Sequence, residues 1–165
     1  MVKPAKSDDD ALESSEYDTE MMLLVDSVFR LERAIARIGA MRLRPWRMTL
    51  SGYAAMRVIQ SRPQLSLIQL SRRCFVKPQT MTRIVSKLGE AGYVKRTTSS
   101  GNERAMSLTL TAKGRKVLRE MDEEVLKINE TLSQNLPDAE RARLIGFMRD
   151  SAIAVEREAA DLEGL

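Results

Sequence analysis

The chain has 165 residues, 43% of them apolar and only 4% aromatic, so its core must be built from Leu, Ile, Val, Met and Ala, a composition suited to helices packed on helices. It has no histidine and one cysteine, which excludes an internal disulfide and a Ser-His or Cys-His nucleophile pair, leaves no ordinary His/Cys metal site, and fits a reducing cytoplasm. The net charge of +4 conceals four blocks: net −6 over residues 1–32, +12 over 33–89 with no carboxylate at all, +5 over 90–119 and −7 over 120–165. A carboxylate-free stretch of that length points to a polyanionic partner such as nucleic acid. The alternative is a basic face balanced by acidic ends within the fold.

In chain order, residues 1–18 are polar, include Asp8-Asp9-Asp10, and read as a disordered tail. They form neither a signal peptide nor an anchor, and no apolar run approaches membrane-spanning length. A helix is predicted from Thr19, with Leu24, Val28, Leu31, Ile35 and Ile38 on one face, ending near Pro45. Thr49 is the expected cap of a second helix through about Ser61, and Pro63 closes it. Ser66 caps a third helix whose Leu67 and Leu70 face the core. Phe75 to Pro78 form a tight connection, with Pro78 in the first turn of a fourth helix where a missing N–H costs nothing. Met81, Ile84, Val85 and Leu88 make that helix apolar on one side, and Gly92 suits its C-terminal cap.

The period then changes. Tyr93 to Thr98 reads as a strand, Ser99 to Glu103 as a turn, and Ala105 to Leu110 as a second strand, giving a hairpin. Thr111 caps a long helix carrying Val117 or Leu118, Met121, Val125, Ile128 and Leu132 on one face. Pro137 breaks the chain, and Asp138 is the expected cap of a last helix with Leu144, Phe147, Met148, Ala152 and Val155 on its apolar side. The expected fold is mainly α with a small β-hairpin wing. A winged helix-turn-helix lobe spans 46–114, with terminal helices at 19–45 and 115–165.

The candidate site is the third helix, the turn, the fourth helix and the hairpin. With the apolar side of the fourth helix turned inward, Gln79, Thr80, Thr82, Arg83, Ser86 and Lys87 face out. These are the side-chain types that reach base edges and phosphates from a helix in the major groove. Arg83 suits guanine and Gln79 adenine, each bidentately, while Lys77 and Lys87 suit phosphate. Arg104 is placed to enter the minor groove from the wing, flanked by Lys95 and Arg96. The other role for Arg104 is an ion pair that stiffens the wing.

The run Leu65-Ser66-Leu67-Ile68-Gln69-Leu70, then Pro78 to Leu88, then Ala91-Gly92-Tyr93-Val94-Lys95-Arg96 resembles the multiple-antibiotic-resistance-regulator (MarR) family. Asn102-Glu103-Arg104 followed by Leu108-Thr109-Leu110-Thr111-Ala112-Lys113-Gly114 resembles that family's wing signature, Asp-x-Arg and then Leu-x-Leu-Thr-x-x-Gly. The likeness extends over about residues 20–160. Two positions depart from it: Asn102 stands where the family usually has Asp, and Lys77 where many members have a capping Ser or Thr.

The resemblance implies a homodimer whose first and last helices interlock, reading a pseudo-palindromic operator on double-stranded DNA as a transcription regulator, with repression the expected sign. Leu24, Val28, Leu31 and Ile35 with Leu144, Phe147, Met148 and Val155 are the candidate dimerisation residues; their alternative is packing within one chain. No cofactor is implied. Many relatives bind small aromatic or phenolic effectors near the junction of lobe and terminal helices. Here that junction holds Arg42, Arg44, Trp46, Arg47, Met48 and Tyr53, an aromatic cluster beside arginines that suits a planar carboxylate. The simpler reading has Trp46 and Tyr53 packing the junction and the arginines facing DNA. Cys74 falls where the third helix needs a small core residue, which favours an inert thiol over a redox sensor. The competing function is an architectural protein that grips DNA by charge with little sequence preference.

Overall fold

The computed structural model describes residues 8–63, 65–99 and 102–164, with side chains from residue 19 onward apart from those of residues 97–106. Among the described residues the elements run α1 (Asp8–Arg42), a 3-10 turn (Arg44–Trp46), α2 (Leu50–Ser61), α3 (Leu67–Arg73), α4 (Pro78–Glu90), β1 (Val94–Ser99), β2 (Asn102–Leu110), α5 (Ala112–Ser133) and α6 (Asp138–Glu163). This is the mainly helical fold with one antiparallel hairpin that the sequence pattern predicts. No helix among the described residues is long and apolar enough to cross a membrane.

The chain divides into two compact units, Met1–Val125 and Leu126–Leu165. The division falls inside α5, whose first half supplies Val117, Leu118 and Met121 to the core of the first unit. In that unit Leu43, Met56, Leu70, Met81, Leu88, Leu118 and Met121 are fully buried. Each such side chain contributes roughly 1.5–3 kcal/mol relative to leaving it exposed. The second unit, from Leu126 onward, leaves Leu144, Phe147, Met148 and Val155 of α6 exposed.

The caps follow local chemistry. Thr49 is extended and its Oγ1 accepts from the Gly52 N–H at 3.1 Å. Ser66 and Gln69 form a reciprocal capping box, with bonds of 3.2 and 2.9 Å. Gly92, at φ 71, takes the left-handed position after α4, and the Tyr93 N–H closes the end on the Leu88 carbonyl at 2.9 Å. Thr111 caps α5 by accepting from the Gly114 N–H at 2.9 Å.

Three boundaries differ from expectation. α1 starts at Asp8 instead of Thr19, so residues 8–18 are helical; residues 1–7 lie outside the described residues. No Gly or Pro stands between Asp8 and Gly39 to interrupt the helix. The hairpin strands extend to Ser99 and Asn102, because an irregularity between Thr98 and Ser99 absorbs the extra residues of β2 and lets pairing continue into the expected turn. Asp138 is the first residue of α6 rather than its cap. Pro137 holds the cap position without a side-chain bond, and Asp138 pairs with Arg141 one turn on.

Candidate nucleic-acid interface

The site is assembled by α3, α4 and the hairpin. The α3–α4 connection is held by the Val76 N–H on the Ser71 carbonyl at 3.1 Å, with Phe75 in the left-handed region at φ 52. Pro78 then opens α4, and Lys77, extended at its N-cap, makes no side-chain cap bond. Met81, Val85 and Leu88 bury one face of α4. Gln79, Thr80, Thr82, Arg83, Ser86 and Lys87 are exposed on the rest of it. The Thr82 hydroxyl donates to the Pro78 carbonyl at 3.0 Å, which fixes its rotamer and leaves its oxygen as an acceptor. The first turn of α4 holds no acidic residue, so its N–H groups and positive dipole end stay open to an anion.

The wing divides the basic residues expected to act together. Register pairs Val94 with Leu110 and Arg96 with Leu108 on one face of the ribbon, and Lys95 with Thr109 on the other. Arg96 therefore shares a cavity of about 370 Å³ with Val85 and Ser86 of α4. Lys95 instead lines a separate cavity of about 500 Å³ with Arg115 of α5. Arg115, which donates to the Leu110 carbonyl at 2.7 Å, escaped the sequence reading because its nearness to the wing depends on how α5 leaves β2. The side chain of Arg104 lies outside the described residues.

The base of the wing shows why Thr111 and Gly114 stand together. The Thr111 N–H donates to the Tyr93 carbonyl at 2.9 Å and its hydroxyl to the Gly92 carbonyl at 2.6 Å. A Cβ on Gly114 would lie 2.0 Å from the Tyr93 oxygen, so only glycine lets the start of α5 approach the strand this closely. Lys113 adds a bond to the Ala91 carbonyl at 2.9 Å and lies over the Tyr93 ring. The wing is thus bolted to the first turn of α5.

The junction residues are engaged by carboxylates of α5. Arg42 pairs with Glu124 at 2.8 Å. The Trp46 indole N–H donates to Glu120 at 3.2 Å, and the Tyr53 hydroxyl donates to Asp122 at 2.7 Å. Arg57 reaches the other oxygen of Asp122 at 3.3 Å. Burial, then the Asp122 hydrogen bond and charge, push the Tyr53 pKa up to about 12. Trp46, Met48 and Tyr53 also pack against the core, and Arg44 and Arg47 are exposed. Glu120, Asp122 and Glu124 went unnoticed in the sequence as partners, although a basic block without carboxylates must find its counter-charges elsewhere in the chain. Cys74 is half-buried at the end of α3, and burial pushes its thiol pKa up. Among the described residues no group of three or more Cys, Asp or Glu could hold a metal ion.

Comparison with known proteins agrees with this architecture. The pattern of the MarR family matches residues 48–106, from the end of the junction through most of the hairpin. The HTH-type transcriptional repressor Rv2887 of Mycobacterium tuberculosis is 38% identical over 73 residues, 44% of this chain and 52% of the repressor. The chain thus spans about half the length of the curated relatives it matches first. The solved structure of Rv2887 with p-aminosalicylic acid aligns at a TM-score of 0.62 and 25% identity, covering 78% of this chain and 98% of that one. A MarR protein from Peptoclostridium difficile aligns at 0.73 and 23% identity over 96% and 94% of the two chains, and the repressor CouR, solved on a 23-mer DNA duplex, at 0.70 and 18% identity over 76% and 89%. At those identities the last two share the fold alone. Residues 48–106 thus match the MarR family pattern, and the described chain shares the winged-helix fold of the solved MarR proteins.

Proposed function

We propose that the chain is a cytoplasmic, homodimeric, sequence-specific regulator of transcription that binds double-stranded DNA through α4 and the wing, a binding protein rather than an enzyme. The observation that carries this reading is the face of α4. Six polar or basic side chains are exposed there, on a helix whose other side is core, within a stretch that contains no carboxylate. In this reading Arg83 and Gln79 read bases, and Thr80, Thr82 and Ser86 complete the groove surface. Lys77, Lys87, Lys95, Arg96 and Arg104 hold phosphates or the minor groove.

The dimer rests on apolar surface. On α1, Leu24 and Val28 are exposed while Leu31 and Ile35 are half-buried; on α6, Leu144, Phe147, Met148 and Val155 are exposed. Apolar residues in such number at helical spacing are the mark of an interface, and a two-fold axis would set two α4 helices about 34 Å apart along a pseudo-palindrome. Repression is carried over from the name of the mycobacterial relative. That relative was also solved with salicylic acid. For this chain, a small aromatic or phenolic anion at Arg42, Trp46, Met48 and Tyr53 would compete with Glu124 and Glu120 for the guanidinium and the indole, loosening α5 from the junction.

Binding-site selection from genomic fragments with the purified chain tests the reading. A recurrent inverted repeat is expected. Arg83→Ala should relax base preference and cost about 1–3 kcal/mol, and Lys87→Ala should weaken binding evenly across sequences. Recovery of no common sequence, with affinity that collapses steeply in salt for every fragment, would favour the architectural role instead.

A further inference from the structure

We infer that a cleft between the end of α2 and the outer face of α3 binds a phosphorylated ligand carrying an aromatic base, of the nucleotide class. The cleft has a volume of about 500 Å³ and is lined by Arg62 from the end of α2, Arg72 and Arg73 from the last turn of α3, and Phe75 from the turn, with Val58 and Gln69 among its other walls. It belongs neither to the exposed face of α4 nor to the junction at Trp46.

Three features point to this chemistry. First, three arginines line one cavity and none makes an ion pair among the described residues. The whole stretch 33–89 offers no carboxylate to relieve their repulsion. Guanidinium groups bind phosphate oxygens bidentately, and several together match a multiply charged group better than a single carboxylate does. Second, Phe75 occupies the left-handed position that closes α3, at φ 52, where glycine is the unstrained residue. Its side chain is 63% exposed, so the core gains little in return for that strain. An exposed ring on a strained backbone beside an arginine cluster is accounted for if a planar group stacks on it. Third, the volume lies in the range of small-ligand sites. A paired DNA duplex would present phosphates here but no free base face for Phe75.

Isothermal titration of the full chain with ATP, inorganic pyrophosphate and adenosine as probes tests the assignment. One ATP per chain is expected, with pyrophosphate and adenosine each bound at least tenfold more weakly. Arg72→Gln with Arg73→Gln should weaken ATP at least tenfold. Phe75→Gly, which suits the backbone angle and should leave the melting transition intact, should weaken ATP several-fold and leave pyrophosphate unchanged. Arg83→Gln with Lys87→Gln should leave ATP binding as it was. The inference fails if ATP does not bind, if ATP and pyrophosphate bind equally, or if ATP binding survives the arginine double variant. It fails equally if ATP binding is lost with Arg83 and Lys87, which would make it a charge effect of α4. Loss of duplex affinity in the Arg72/Arg73 variant with ATP binding unaltered would reassign the cleft to the DNA backbone.

Discussion

Replacing Gly114 by alanine sets two effects of opposite sign against each other. Helix propensity alone predicts a gain of up to about 1 kcal/mol, because Gly114 lies in the first turn of a 22-residue helix. The added Cβ, however, would sit 2.0 Å from the Tyr93 oxygen, 2.8 Å from its carbonyl carbon and 3.0 Å from its Cα. All three are backbone atoms, so no side chain can rotate away. The start of α5 must retreat by roughly 1 Å, an overpacking strain of about 1–3 kcal/mol. That retreat breaks the Thr111 bonds to Tyr93 and Gly92, now 2.9 and 2.6 Å. The two bonds contribute about 1 kcal/mol each. The net expectation is a destabilisation of about 2–4 kcal/mol, read as a fall in the urea midpoint of about 1–2 M at fixed protein concentration. Gly89→Ala is the control. It lies near the end of α4 with nothing within 4 Å of the new Cβ, and should stabilise by about 0.5–1 kcal/mol. If Gly114→Ala unfolded at the same urea concentration as the parent, or at a higher one, the close approach of wing and helix would be wrong.

Tyr53, pushed up to about 12 by burial and Asp122, should be visible in alkaline titration. The folded state keeps this phenol protonated where the unfolded chain ionises near 10, so its contribution to stability is complete below pH 10 and is lost between pH 10 and 12. A phenolate absorbance step near pH 12 that disappears in Tyr53→Phe is the expected signature, and a single step near 10 for every tyrosine would contradict it. Cys74, with its thiol pushed up by burial, should react with a disulfide reagent far more slowly in the native protein than in urea; equal rates would place it at the surface. Ser66→Ala removes one half of the capping box and should cost about 1 kcal/mol in urea unfolding, with α3 losing amide protection before α4 does. No change in either measurement would deny the cap its role.

Much of the molecule was legible residue by residue, because the determinants are local. Thr49, Ser66 and Thr111 announce helix starts through side-chain oxygens that reach a backbone N–H three residues on. Pro78 and Gly92 bracket α4 through the backbone angles they favour, and the spacing of Met81, Val85 and Leu88 settles which side of it is buried and hence which residues face out. The exclusion of histidine chemistry and the segregation of charge needed only counting.

What the chain order could not reveal is which distant groups meet. Arg42, Trp46 and Tyr53 find their carboxylates 69 to 82 residues away, near the middle of α5, and nothing in local spacing selects Glu120, Asp122 and Glu124 over the other acids of the terminal helices. Lys95 and Arg96 are neighbours in sequence, yet the pleat turns them to opposite faces of the hairpin, one toward α4 and one toward Arg115. Arg62, Arg72, Arg73 and Phe75 become one cleft only when α2 and α3 pack together. Helix caps and periodicity act over three or four residues and can be read from letters. Charge pairing and cavity walls act through space, and the packing of the buried core decides which residues share it.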